Sequence, residues 1–202
     1  MNITPRARIE WGAAGRPRGG EWESGDGYLI KLPTHKAVIA VVDGVGHGSE
    51  AARAARTALA VVDAFAAVPP LELLYRCHEA LRATRGVVMT VAWIDVYNRI
   101  LQWMGIGNVA TTLIRGDGSA AREHLMNRGG LLGHQIPNVA VASTPISKGD
   151  SLVFITDGVD WNPRTGAFPS LQPERAARNL LDQHGNAGDD ALALVVHVQD
   201  SD

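Results

Sequence analysis

Two helical segments stand back to back in the middle of a chain that otherwise reads as short strands, and few folds accommodate that order. Ser49 to Ala66 is rich in alanine, with larger apolar residues at Leu59, Val62 and Phe65, and Leu71 to Thr84 sets Leu74, Cys77 and Leu81 at helical spacing. Val68-Pro69-Pro70 separates them, since proline interrupts a helix. Ahead of this pair the sequence predicts strands over Arg8 to Trp11, Tyr28 to Leu32 and Ala37 to Val42, the first two separated by a Gly/Arg/Pro-rich loop from Gly12 to Gly25. Behind it come strands over Val87 to Val96, Ile100 to Gly105, Val109 to Arg115, Glu123 to Asn127, Val139 to Ala142 and Leu152 to Thr156. A helix over Glu174 to Gln183, with Pro173 near its start and Gly185 past its end, leads to a last buried strand, Ala191 to Val198.

Strict alternation of strand and helix is missing, so a doubly wound parallel sheet is excluded. The expectation is an α+β fold, a four-layer α-β-β-α sandwich with two packed antiparallel sheets flanked by helices. No Ser/Gly-rich or single-charge run divides the 202 residues, so residues 1–202 read as one domain. Nineteen Lys+Arg against 21 Asp+Glu leave no global positive field, so nucleic acid and anionic membrane surfaces are not expected partners. A lone Cys77, no secretory pattern at the start and no apolar run near the ~20 residues of a membrane span together predict a cytoplasmic protein.

Four aspartate-bearing segments share one setting. Asp26 lies in Ser24-Gly25-Asp26-Gly27, Asp43 in Val41-Val42-Asp43-Gly44, Asp157 in Ile155-Thr156-Asp157-Gly158, and Asp189 with Asp190 in Gly188-Asp189-Asp190-Ala191. Each stands where an apolar strand begins or ends, so all four can reach one cleft at the rim of a sheet. A single Asp beside Gly is most often only a turn, and Asp117, between two glycines of a polar hairpin, is read that way. Four together point to hard oxygen ligands for Mg²⁺ or Mn²⁺. Zinc is disfavoured, because the seven histidines form no close pair and one cysteine makes no thiolate cage. Two such cations about 3.5 to 4 Å apart activate water and neutralise phosphoryl oxygens, which removes the need for a protein nucleophile.

Gly25-Asp26, Asp43-Gly44-Val45-Gly46-His47-Gly48, Arg85-Gly86 before a strand, Gly105-Ile106-Gly107-Asn108, Thr156-Asp157-Gly158 and Gly188-Asp189-Asp190 follow one another in the order seen in type 2C (PPM) metal-dependent protein phosphatases. The chain resembles that family over most of its length, and within it the small bacterial sporulation and stress-response subgroup that includes stressosome feedback phosphatases. The resemblance implies a serine/threonine phosphoprotein phosphatase using two Mn²⁺ or Mg²⁺ ions. Asp43 would bridge both ions, Gly44 would offer its carbonyl, Asp26 would serve the second ion, and Asp157 and Asp189 the first; Asp189 is preferred over Asp190. The implied partner is a phosphorylated STAS-domain protein of a stress-signalling complex. Larger members carry a phosphate-binding arginine ahead of the first metal-site acid. Arg16 and Arg18 precede Asp26 but are read as surface residues.

His47 is read either as an acid that protonates the leaving oxygen or as a residue that caps or orients the turn before the helix. Cys77, Met89 and Met104 are expected in the core, as are Trp11, Trp93 and Trp103, whereas Trp22 and Trp161 lie in polar loops near Asp26 and Asp157 and are candidates to border the cleft. Two rivals remain. The glycine-rich turn after Asp43 suggests a phosphate cradle, but it is not GxGxxG and no parallel strand follows its helix directly. A pseudophosphatase that binds a phosphorylated partner without hydrolysing it is opposed by the presence of all four acidic positions.

Overall fold

The computed structural model describes residues 9–33, 36–117, 121–164, 168 and 172–199. In chain order the elements are β1 (Ile9–Arg16), β2 (Asp26–Lys31), β3 (Lys36–Gly44), α1 (Gly48–Phe65), α2 (Pro70–Leu81), β4 (Val87–Asp95), β5 (Ile100–Ile106), β6 (Ala110–Ile114), β7 (Arg122–Leu125), β8 (Ala142–Pro145), β9 (Ser151–Ile155), α3 (Pro173–His184) and β10 (Ala191–Val198). They form two five-stranded antiparallel sheets, in the orders β1-β10-β9-β6-β7 and β2-β3-β4-β5-β8.

Sidedness of the strands explains the layering. In β3, Ala37, Ile39 and Val41 face a core between the two sheets, while Val38, Ala40 and Val42 face a second core with α1 and α2. In β10, Leu192, Leu194, Val196 and Val198 enter the inter-sheet core, and Ala191, Ala193 and Val195 meet α3. A strand buried on both faces reads as an unbroken apolar run, which is how these two look in the sequence. The helices lie outside: Ala54, Ala55, Ala58 and Val62 of α1, with Leu73, Leu74, Cys77 and Leu81 of α2, cover one sheet, and Ala176, Ala177, Leu180 and Leu181 of α3 cover the other. Layer order is therefore α-β-β-α, as expected.

Three expectations need correction. β1 does not stop at Trp11 but runs to Arg16, which pairs with Ala191. Its glycines look like a loop in sequence, yet Gly12 serves close approach: a side chain there would overlap the backbone of Glu174 at the start of α3. The eighth strand lies at Ala142–Pro145, paired to β5, rather than at Val139 to Ala142, because Val139 instead packs against the core beneath α1 and α2. Trp11 is 44% exposed rather than core. Arg8, where the first predicted strand begins, and Gly118, in the predicted hairpin turn, lie outside the described residues. Among the described residues no helix is long and apolar enough to cross a membrane.

Candidate active site

Each sheet brings two of the acidic residues to the same end of the sandwich. Asp26 opens β2 and faces Asp43, near the end of β3, in direct antiparallel register. Asp157 follows β9 and Asp189 precedes β10, and those strands are neighbours in the other sheet. A cleft of about 400 Å³ opens between them, lined by Arg18, Asp43, Val45, Gly46, His47, Val88, Asn108, Asp157 and Asp189. Among the described residues no three Asp, Glu, His or Cys side chains close into a finished ligand cage; the carboxylates stand around the open cleft.

Asp26 and Gly44 adjoin Asp43 but are not among the residues that line the cleft. The Thr156 hydroxyl donates to Asp26 Oδ2 at 2.6 Å, tying β2 of one sheet to the end of β9 in the other. Burial pushes the Asp26 carboxyl up to about 8; the Thr156 hydrogen bond opposes the shift, and repulsion from Asp43, Asp190 and Asp157 adds to it. Asp43 is pushed up to about 7, again first by burial and then by Asp157, Asp189 and Asp190, with no hydrogen bond to offset it. Gly44 is required where it stands, because a side chain would overlap the Ala51 carbonyl of α1. Its absence lets the helix start directly beside the two carboxylates.

The neighbours Asp189 and Asp190 divide their work. Asp190 is buried, and its two oxygens accept backbone amides from Arg18 at 2.7 Å and Gly25 at 2.8 Å. Its acceptor capacity is directed at the backbone, whereas Asp189 lines the cleft. Asp157 also lines it, with Oδ2 accepting from Asn108 Nδ2 at 2.9 Å. No role for Asn108 was visible in the sequence beyond its place in the Gly105-Ile106-Gly107-Asn108 motif. Behind that turn, Asn127 Nδ2 donates to Thr90 Oγ and to the Val109 carbonyl, both at 2.8 Å, and so fixes the crossing from β5 to β6.

His47 occupies the N-cap position of α1 without a side-chain capping hydrogen bond. Its Nδ1 lies 2.7 Å from Glu21 Oε1. A carboxylate only accepts, so Nδ1 carries the hydrogen. The surface reading of Arg16 and Arg18 is also corrected. Arg16 is half-buried and donates to the Gly185 carbonyl at 2.6 Å, and Arg18 is half-buried in the cleft wall. Trp161 is 4% exposed and packs with Phe168 under α3 rather than at the cleft, while Trp22 is 97% exposed. Cys77 is buried in the core, and burial pushes its thiol up to about 12, as suits an inert packing residue.

Residues 33–200 match the profile of the stage II sporulation protein E (SpoIIE) family. The chain belongs to that family. The type 2C phosphatase resemblance and the serine/threonine phosphatase class read from the motifs are thereby borne out. Among curated relatives, phosphoserine phosphatase RsbX of Bacillus subtilis (strain 168) is 24% identical over 172 residues, covering 85% of each chain. Among solved structures, one from work described as "The bacterial stressosome: a modular system that has been adapted to control secondary messenger signaling" matches with TM-score 0.86 at 28% identity, covering 94% of this chain and 100% of the other. RsbX in complex with magnesium matches with TM-score 0.82 at 19% identity, over 97% of this chain and 100% of the other.

Proposed function

We propose that this SpoIIE-family domain is a metal-dependent phosphatase that hydrolyses phosphoserine or phosphothreonine on a STAS-domain protein of a stress-signalling complex. The observation that carries the chemistry is the convergence of Asp43, Asp157 and Asp189 from two sheets on one cleft, with Asp26 paired to Asp43 across β2 and β3. The donor set is oxygen only, which fits Mg²⁺ or Mn²⁺. Asp43 would bridge two ions, Asp26 and the Gly44 carbonyl would serve one, and Asp157 and Asp189 the other. Bound divalent cations lower the pKa of water and neutralise phosphoryl oxygens.

The chain's own residues do the rest. Asn108 holds Oδ2 of Asp157, which would leave Oδ1 for a cation. Arg18, in the cleft wall, is placed to meet the phosphoryl oxygens. Glu21 accepts a hydrogen bond from Nδ1 of His47, so the doubly protonated ring would give its Nε2 proton to the departing serine oxygen and return to the neutral Nδ1–H form. The STAS-domain partner rests on the likeness to RsbX and to the stressosome structure.

The test is turnover of a generic phosphomonoester and of a phosphoserine STAS domain with Mn²⁺. Activity should vanish on chelation, and Asp43→Asn and Asp157→Asn should each lose about 100-fold or more in kcat while circular dichroism stays native. Turnover that survives chelation, or near wild-type turnover of either variant at saturating Mn²⁺, would remove the metal mechanism or that ligand.

A further inference from the structure

The segment between β1 and β2 is held at both ends by one carboxylate. Asp190 accepts the Arg18 amide at its start and the Gly25 amide at its end. Inside the segment the Gly19 amide donates to the Ala187 carbonyl and the Glu21 amide to the Arg18 carbonyl, each at 3.0 Å. Its charged side chains each face a partner or the cleft. Arg18 lines the cleft, Glu21 grips His47 at the cleft mouth, and Glu23 lies 3.5 Å from Arg56 on α1. Trp22 stands between the two pinned glutamates and is 97% exposed, the most exposed large apolar side chain among the described residues.

We propose that Trp22 is the anchor by which the folded phosphoprotein substrate docks; this rests on the phosphatase reading above. A phosphoserine side chain is a single methylene long before its phosphate ester. For the phosphoryl group to reach Asp43, Asp157 and Asp189, the substrate's backbone must come down to the rim, and this segment forms part of that rim. The surface flanking the phosphoserine then covers the residue between Glu21 and Glu23. An indole supplies a large contact area with one polar tip, the residue type most enriched at energetic centres of interfaces. Because Asp190 already orders the segment, little further ordering opposes docking. A second copy of this chain is the competing occupant.

The experiment uses Mn²⁺-loaded wild type, Trp22→Ala and Trp22→Phe on three probes: a phosphoserine STAS domain, its isolated phosphopeptide and a small aryl phosphate. Trp22→Ala should lose roughly tenfold or more in kcat/KM on the folded domain, mainly through KM, with the two small probes changed by less than about twofold and Trp22→Phe recovering most of the loss. An equal loss on all three probes, or none on the folded domain, overturns the anchor alone. So does sedimentation showing a wild-type dimer that Trp22→Ala converts to monomer. Failure of the wild type on every phosphoprotein overturns the phosphatase reading and the anchor together.

Discussion

His47 and Glu21 are 26 positions apart, and only the folded segment from Arg18 to Gly25 brings them to 2.7 Å. The carboxylate holds the Nδ1–H and turns Nε2 to the cleft side as the nitrogen whose proton the doubly protonated ring gives up, so Glu21 is a positioning residue acting through His47. Replacing it with glutamine should therefore lower kcat on a phosphoserine protein by roughly tenfold, since a positioned acid contributes about 10² to 10⁴ in rate. KM and Mn²⁺ affinity should stay near wild type. The double variant Glu21→Gln/His47→Gln should be no slower than His47→Gln alone, the sign of two residues serving one function. Additive losses in that cycle would show that Glu21 acts independently of the histidine. The sequence marked His47 because a glycine-rich turn isolates it, but it offered no local signal for Glu21, and the same holds for Asn108, whose partner Asp157 is 49 positions away.

Elements were legible where burial on both faces wrote an unbroken apolar run, as in β3 and β10, and where alanine repeats let α1 lie close on a sheet. β1 was half hidden because Gly12 answers to α3, an element more than 150 residues further on. The Asp189-Asp190 pair was legible as acidic but not as two different functions. Their separation gives a test at this scale. Asp190→Asn places an amide NH₂ against one of two backbone donors, so it should lower stability by about 1 to 3 kcal/mol and loosen the segment that carries Arg18, Glu21 and Trp22. Relief of repulsion on Asp26 and Asp43 offsets part of that loss. Asp189→Asn should leave stability near wild type and remove activity. Urea midpoints and turnover measured on both variants check the pair, and the reverse pattern would exchange their roles.

Across the whole molecule, the candidate site joins two sheets that also pack through the apolar core between them. Asp26 and Asp43 belong to one sheet, Asp157 and Asp189 flank strands of the other, and repulsion among them acts directly against that packing. The two carboxyls with raised values set the sign of the pH dependence. In the folded, chelated protein Asp26 and Asp43 keep their protons up to about 8 and about 7, whereas the unfolded chain releases them near 3.8. Between those limits the folded state binds more protons than the unfolded one, so stability falls as pH rises. The contribution is complete below about pH 4 and is lost as pH passes 7 to 8. Divalent cations act oppositely, because they bind the ionised folded state and stabilise it by about 2.7 kcal/mol at 100 times their Kd. In EDTA, the melting temperature should therefore decline from pH 5 to pH 8, and saturating Mn²⁺ should raise it most at the alkaline end. Asp43→Asn should flatten the decline and shrink the Mn²⁺ response together. A melting temperature in EDTA that is flat or rises over this range would show that the carboxylates do not strain the joint between the sheets.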